Sequence, residues 1–274
     1  MSVLPEWFAL LVFVLFGLLF GSFGNVVIWR LPRAESIVSP GSHCPACGHQ
    51  VRGYDNIPVI SWLVLRGRCR DCGEPIAVRY VVVEAASGVL FGLAAFRYGA
   101  SWQATVAAAC FWLLLVLAII DLDHMRLPNV LVALLAGIGV LGAVVSEQFD
   151  VTLAPLTYGW VAHPLLLSVL GAALGMGLSG GVAALYGLVR HKRGLGMGDV
   201  KLLGALGLLT GPYVVLALFA GSILGLVAGL WASRGSELSE TRIPFGPWLA
   251  MGGIVVMLGG PSVWEWYAHA VGIA

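Results

Sequence analysis

Charge is scarce in this chain of 274 residues, because only 11% of the residues are charged while 59% are hydrophobic. Soluble domains carry roughly 25% charged residues, so this composition excludes an ordinary soluble enzyme and predicts a polytopic membrane protein. The net charge is only +1, which implies no bulk attraction to nucleic acid and excludes nucleic acid as a partner. The chain also lacks a glycine-rich dinucleotide fingerprint that follows a strand and opens a helix.

Long uncharged segments are what the chain has instead. The first, Trp7 to Trp29, is preceded by Glu6 and by no Lys or Arg, which excludes a cleaved signal peptide. The segment from Leu202 to Ser233 is too long for one crossing, and Thr210-Gly211-Pro212 predicts a break into two helices. The chain is therefore predicted to be all-α, with about eight transmembrane helices. The other predicted spans are Tyr80–Phe96, Ser101–Ile120, Leu127–Ser146, His163–Val189 and a last one within Pro247 to about His269.

The distribution of basic residues predicts the orientation of these spans. With the N-terminus outside, the segments 30–79, 121–127, 190–201 and 232–246 face the cytoplasm. Arg97 is then the only one of the 15 Lys and Arg residues that lies outside, as the positive-inside rule expects.

A polar stretch from Leu31 to Arg79 contains four of the five cysteines. They form two Cys-x-x-Cys pairs, Cys44 with Cys47 and Cys69 with Cys72. Four thiolates at this spacing can complete a tetrahedral zinc site, and such a filled site is structural because no position remains for a substrate. Two disulfides are the alternative in an oxidising compartment, whereas the predicted cytoplasmic location favours zinc.

Two aspartates stand where apolar segments end. Asp121 directly follows the third predicted span, and Asp199 lies in Gly196-Met197-Gly198-Asp199-Val200-Lys201. Two crossings separate them, so both are expected on one membrane face at a similar depth. Such a pair can hydrolyse a peptide bond if one carboxylate activates water while the other donates a proton. The simpler alternative is that both aspartates form interfacial salt bridges with Arg126 or Lys201.

Three motifs resemble the type IV prepilin peptidases, a family of intramembrane aspartic proteases. The segment Gly196 to Leu203 looks like their Gly-x-Gly-Asp motif. The segment Ile120 to Asn129 is similar to their first aspartate motif, in which the catalytic Asp precedes a proline by seven residues, and this spacing selects Asp121 over Asp123. The segment Gly21 to Pro32 resembles the signature at the end of their first helix.

The resemblance implies a bifunctional enzyme of the bacterial inner membrane. It implies that Asp121 and Asp199 cleave the basic leader of type IV prepilins and type II secretion pseudopilins. It also implies N-methylation of the new terminus with S-adenosylmethionine, for which no binding residues can be named from the sequence. Gly196, Gly198 and Lys201 are expected to position the substrate.

The predicted domains are a first transmembrane helix (1–30), a cytoplasmic zinc-binding domain (31–79) and a transmembrane protease domain (80–270) surrounded by membrane lipid. The alternative function is a non-enzymatic assembly or transport component of the membrane with a structural zinc domain. A transporter is expected to place ionisable residues near the bilayer midplane. Apart from Glu84, near the start of its span, the predicted helices contain none, and the carboxylates cluster at one interface.

Overall fold

The structure is a computed structural model that describes residues 5–149, 151–154, 156–157, 163–191, 195–232 and 244–272. Its regular elements within these ranges are helices, accompanied by two isolated β-bridges. Seven helical stretches are long and apolar enough to cross a membrane. The α-helices are α1 (Glu6–Arg30), α2 (Ile60–Val64), α3 (Val78–Tyr98), α4 (Trp102–His124), α5 (Asn129–Phe149), α6 (Pro164–Arg190), α7 (Met197–Thr210), α8 (Val214–Ala232) and α9 (Gly246–Val271).

The chain divides into two compact units, Met1–Val116 and Leu117–Ala274. In the first unit, α1 and α3 form a close antiparallel pair. A side chain at Gly21 would come within 2.6 Å of the Cα of Glu84, so glycine is needed for the helices to approach this closely. Near the end of α1, the Asn25 side-chain amide donates a hydrogen bond to the Tyr80 carbonyl at 3.0 Å.

The polar loop between α1 and α3 carries the cysteines, as predicted. Its hydrophobic side chains contribute little to the buried core, and hydrogen bonds join distant parts of the loop. The Trp62 indole N–H donates to the carbonyl of Ile76 at 3.0 Å, and the amide of Ile76 donates to the carbonyl of Gly67 at 2.7 Å. Trp62 belongs to the short helix α2, which starts after Val59, a residue with a positive φ of 62°.

In the second unit, α6 and α7 pack through glycines. A side-chain carbon on Gly207 would overlap the carbonyl of Gly171, and one on Gly175 would come within 2.5 Å of the carbonyl of Leu203. These contacts align the start of α6 with the end of α7, so the two helices are antiparallel. The hydrophobic effect does not drive helices together within lipid, so membrane helices associate through van der Waals packing. Small residues at the contact allow the close approach that this packing needs.

The break predicted at Thr210-Gly211-Pro212 is present, because α7 ends at Thr210 and a 3₁₀ turn leads into α8. A side-chain carbon on Gly253 would meet the Leu206 side chain at 2.5 Å, and one on Gly221 would meet the backbone of Trp248 at 2.9 Å. A side-chain carbon on Gly252 would also overlap the backbone of Ala217, so α9 is antiparallel to α8. The first turns of α7 and α9 both contact Leu127, through Gly198 and Gly246, so α9 is parallel to α7. The chain therefore reverses direction between α7 and α8, as a helical hairpin requires.

The prediction of an all-helical membrane protein with a cysteine-containing insertion between its first two spans is confirmed. The hairpin α7–α8 falls within one apolar stretch, Met197–Trp231, which is why the structure has seven such stretches where the sequence predicted about eight spans. At ~1.5 Å per residue, the 14 residues of α7 are short for a full crossing. The predicted cytoplasmic segment around Arg234 and Arg242 lies outside the described residues.

Candidate active site and metal centre

Asp121 lies in the last turn of α4, and its side chain is almost completely enclosed, with 5% exposed. The backbone N–H of Gly246 donates a hydrogen bond to its Oδ2 at 3.1 Å. Gly246 is the first residue of α9, where the backbone N–H groups have no partner within the helix. A free helix N-terminus thus provides the donor that orients this buried carboxylate.

Asp199 lies in the first turn of α7 and is 9% exposed. The α7 dipole is favourable for a carboxylate at this end of the helix. The preceding Gly196 is extended, and a side-chain carbon there would stand 3.2 Å from Oδ2 of Asp199. Asp121 is close enough to Asp199 to act on it electrostatically. The structure therefore brings together the two aspartates that the motif spacing selected.

The residues around the pair connect the start of α7 to α5 and to the segment that precedes α5. The Lys201 ammonium donates to the Asn129 side-chain carbonyl at 3.0 Å, which joins the start of α7 to the start of α5. A side-chain carbon on Gly198 would meet the side chain of Leu127 at 3.2 Å. Asp123, two residues beyond Asp121, is exposed.

The alternative of simple salt bridges fails on this geometry. Within the part of the chain that the structure describes, neither Asp121 nor Asp199 forms an ion pair with Arg126 or Lys201. Two buried carboxylates lie near each other with backbone groups beside them, and such an arrangement is typical of groups that exchange a proton.

The sequence does not predict a role for Gly246. The signal in the sequence is the run Pro244-Phe245-Gly246-Pro247 at the start of the last apolar segment. A proline at the first helical positions is common and marks where α9 begins. Nothing in the run itself indicates that its amide reaches a carboxylate 125 residues earlier.

The four cysteines in the first unit form one cluster. Their sulfur atoms all lie within 4.8 Å of one another, and all four thiols are free of disulfides. Each pair is shaped by the same local hydrogen bonds: the amide of Cys44 donates to the carbonyl of His49 at 3.0 Å, and that of Cys69 donates to the carbonyl of Glu74 at 2.8 Å. The glycine after each pair has a left-handed φ, 73° at Gly48 and 75° at Gly73.

The cluster fits a zinc ion. Tetrahedral coordination at ~2.3 Å from each sulfur separates the sulfurs by roughly 3.8 Å, and the Cys44 and Cys72 sulfurs are 3.8 Å apart. The backbone N–H groups of Cys47 and Ala46 point to the Cys44 sulfur and lower the pKa of its thiol to about 7. Zinc binds the thiolate form, so this turn favours the form of the ligand that metal binding requires.

Salt bridges hold the cysteine loop from outside the cluster. Arg70 makes a bidentate contact with Asp55, with distances of 2.6 to 3.0 Å, and these hydrogen bonds hold the pKa of the Asp55 carboxyl below its usual value. Arg52 pairs with Asp71 at 3.0 Å, next to the last metal-ligand candidate. Both pairs connect the second cysteine turn, Cys69 to Cys72, to the segment between the two turns.

Fold and site together define a polytopic membrane protein with two buried aspartates at helix ends and a four-cysteine domain. Family models match both parts: the bacterial peptidase A24 N-terminal domain matches residues 15–98, and the type IV leader peptidase family matches residues 108–230. The chain belongs to the type IV leader peptidase family.

Curated relatives cover almost the whole chain. A protein from Pseudomonas putida named prepilin leader peptidase/N-methyltransferase is 38% identical over 95% of this chain and 93% of its own length. Proteins with the same name from Pseudomonas aeruginosa (35% identical, 94% of this chain, 93% of the relative) and Neisseria gonorrhoeae (33% identical, 99% of both) are also similar. No solved structure matches this chain.

These comparisons confirm the family that the motifs indicated and the prediction of a protease with methyltransferase activity. They also support an integral protein of the inner membrane. The alternative of a non-enzymatic assembly or transport component is thereby set aside. The domain limits and the roles of individual residues stay predictions.

Proposed function

We propose that Asp121 and Asp199 form the catalytic dyad that cleaves the leader peptides of type IV prepilins and type II secretion pseudopilins. The observation that carries this proposal is the convergence of two buried carboxylates, one at the end of α4 and one at the start of α7, with a backbone N–H bound to the first. Family membership supports the reaction, since the relatives are named prepilin leader peptidases.

The geometry supports a division of roles within the dyad. Two carboxylates close together in a site with little water share a proton, so one acts as a base towards water while the other donates to the scissile carbonyl. When the resulting diol collapses, the base passes the proton that it took from water to the leaving amine, and the other carboxylate recovers its proton from a diol hydroxyl. The Gly246 N–H fixes the direction of one Asp121 oxygen, which leaves the other oxygen for water or substrate.

Gly196, Gly198 and Lys201 are proposed to position the substrate. Since Gly196 has no side chain, nothing at that residue covers Oδ2 of Asp199, and a substrate backbone has access from that side. Gly198 allows α7 to lie against Leu127. Lys201 fixes the start of α7 through Asn129, so its effect on the substrate runs through the orientation of Asp199.

We further propose that the dyad faces the cytoplasm, with the N-terminus outside. The basic residues support this orientation, because Arg30, Arg33, Arg126 and Lys201 lie at the helix ends nearest to the dyad or the cysteine loop. A single-span substrate with a basic leader then emerges from the bilayer where the aspartates lie.

Two features of the proposal concern bound groups. The residues Cys44, Cys47, Cys69 and Cys72 would hold one zinc ion, which stabilises the loop without taking part in the reaction. S-adenosylmethionine would supply the methyl group for the new N-terminus, consistent with the N-methyltransferase names of the relatives. We assign no residues to the methyl donor.

The dyad is tested by replacing each aspartate with asparagine and measuring leader cleavage of a prepilin in membranes. General acid–base groups contribute roughly 10²–10⁴-fold to a rate, so Asp121→Asn and Asp199→Asn should each lower cleavage by at least about 10²-fold. Asp123→Asn is the control and should retain most activity. Normal processing by Asp199→Asn would refute the dyad.

The second activity is tested separately by mass spectrometry of the cleaved product. With S-adenosylmethionine present, the new N-terminus should gain one methyl group, and a dyad variant given a pre-cleaved substrate should still methylate it. An unmethylated product from the unaltered enzyme would remove methylation from the proposal and leave proteolysis untouched.

A further inference from the structure

The short helix α2 presents an apolar face that the fold leaves uncovered. Ile60, Leu63 and Val64 are 56%, 60% and 69% exposed. Their spacing of three and four residues places them on one side of a helix. Polar loops of soluble domains seldom expose three neighbouring branched aliphatic side chains without a partner.

A hydrogen bond fixes where this helix begins relative to the membrane spans. The backbone N–H of Val59 donates to Oε2 of Glu84 at 2.7 Å. Glu84 is six residues inside α3, roughly 9 Å from its start at 1.5 Å per residue. The Glu84 side chain leans towards the start of α3, as helical side chains do. Even with this lean, Val59 lies beside the first turns of α3 and not beyond its end.

A second measure of depth comes from α1. Gly21 packs against the backbone of Glu84, and Gly21 is nine residues, or roughly 13 Å, from the basic end of α1 at Arg30. Trp29 and Arg33, which stack at 3.7 Å, mark that end as an interface by composition. Both helices therefore place Glu84 inside the apolar part of the first unit.

From Ile57 to Ser61, every backbone N–H of this segment donates a hydrogen bond. The amide of Ile57 donates to the Ser61 hydroxyl at 3.0 Å, that of Ile60 to the Pro58 carbonyl at 2.6 Å, and that of Ser61 to the Ile57 carbonyl at 3.0 Å. Pro58 has no N–H, and that of Val59 is held by Glu84. Non-helical backbone away from water must satisfy its donors in this way.

The start of α3 also carries exposed apolar side chains. Val78 and Val82 lie one turn apart at the start of α3 and are 59% and 57% exposed. Arg66 and Arg68 follow α2 directly and are exposed. Apolar side chains on a short helix next to basic residues are the arrangement of segments that lie in a lipid interface and contact anionic headgroups.

We propose that the segment from Ile57 to Val64 is embedded in the bilayer interface, with Ile60, Leu63 and Val64 in contact with lipid. This segment then attaches the cysteine-containing domain to the membrane surface. The hydrogen bond between Val59 and Glu84 fixes the depth of the segment in the interface. This proposal does not depend on the roles of the two aspartates, because it concerns the first unit alone.

The test is site-specific photocrosslinking of the full chain in nanodiscs of phosphatidylethanolamine and phosphatidylglycerol. Two variants, Leu63→p-benzoylphenylalanine and Val64→p-benzoylphenylalanine, probe the face. Val89→p-benzoylphenylalanine, at a residue of α3 that is 61% exposed, is the lipid-facing reference. Ala46→p-benzoylphenylalanine, at an exposed residue of the first cysteine turn, is the matched control in the same domain.

After irradiation, mass spectrometry should find lipid adducts at residues 63 and 64 at a level similar to residue 89 and several-fold above residue 46. Residues 63 and 64 are both exposed, so neither replacement is expected to disturb folding, and cleavage activity provides the check. Absence of lipid adducts at both residues, with adducts at residue 89, would overturn the proposal. Crosslinks to a second copy of the chain would overturn it as well and assign the face to a dimer.

Discussion

The cysteine cluster and the aspartate pair are built in opposite ways. All four cysteines lie within one loop, and each pair is shaped by hydrogen bonds over five residues, such as that from Cys44 to His49. The aspartate pair joins α4, α7 and the start of α9, and its key hydrogen bond spans 125 residues. The arrangement of the cysteines therefore depends on local backbone geometry, while that of the aspartates depends on how the helices pack.

The largest effect should come from breaking the cluster. Structural zinc contributes on the order of 10 kcal/mol to small zinc domains, so Cys44→Ser or removal of the metal with a chelator should unfold the loop. Limited proteolysis should then cut between α1 and α3, and bound zinc should fall, while the helical content of the spans stays unchanged. Cys110→Ser, in α4, is the matched control and should keep both the metal and the resistance to protease.

If the loop remained protease-resistant after complete zinc removal, its hydrogen bonds and salt bridges would be sufficient to keep it folded. The cysteine cluster would then not depend on a metal, and the proposed difference between it and the aspartate pair would be wrong.

The next effect should come from Gly246→Ala. The added carbon would stand 2.6 Å from Oδ2 of Asp121, so the carboxylate or the start of α9 must move. Displacement of a reacting group by about 1 Å can cost on the order of 10²-fold in rate, and leader cleavage should fall by roughly that amount with little change in KM. Gly259→Ala, in open space on the same helix, should cleave normally.

The pH profile of cleavage by the Gly246→Ala variant distinguishes a displaced Asp121 carboxylate from a general loss of enzyme stability. A change in the hydrogen bond to Asp121 should shift the profile, whereas a merely less stable enzyme should keep the profile of the unaltered protein at lower amplitude. An unshifted profile with full activity would show that this amide does not position Asp121.

A smaller effect, on stability, is expected at the contact between α6 and α7. A side-chain carbon at Gly171 would overlap the backbone of Gly207, and such overpacking costs typically about 1–3 kcal/mol. Gly171→Ala should therefore lower the thermal unfolding midpoint in detergent. Gly177→Ala, also in α6 but in open space, should have no such effect. Equal midpoints for the two variants would argue against tight packing of these helices.

The smallest effect is expected at the Lys201–Asn129 hydrogen bond. Both side chains are exposed, and the net contribution of a hydrogen bond is about 0.5–1.5 kcal/mol, with the lower end expected here. Lys201→Met should reduce cleavage modestly, and Asn129→Ala should reduce it by a similar factor. If their effects multiply fully in the double variant, the two side chains act independently, and the hydrogen bond does not orient α7.

Much of the cysteine domain could be predicted from sequence because its geometry is local. The spacing of Cys44 and Cys47 specified the turn, and the left-handed φ of Gly48 is the conformation that glycine adopts most easily. What the sequence did not reveal in this loop was the contact of Val59 with Glu84. A backbone amide has no side-chain identity, so no pattern of residues can indicate which carboxylate it binds.

For the spans, composition was sufficient to predict helices and the break at Gly211, since apolar length and a helix-breaking turn are properties of the residues themselves. The spacing of Asp121 from Pro128 and the crossings between Asp121 and Asp199 predicted one membrane face for the pair. Tertiary structure alone decided that α9 returns beside α7, with Gly253 against Leu206, and that the amide of Gly246 meets Asp121. The physical reason is that helix formation depends on neighbouring residues, whereas the contact of two helix ends depends on the packing of every helix between them.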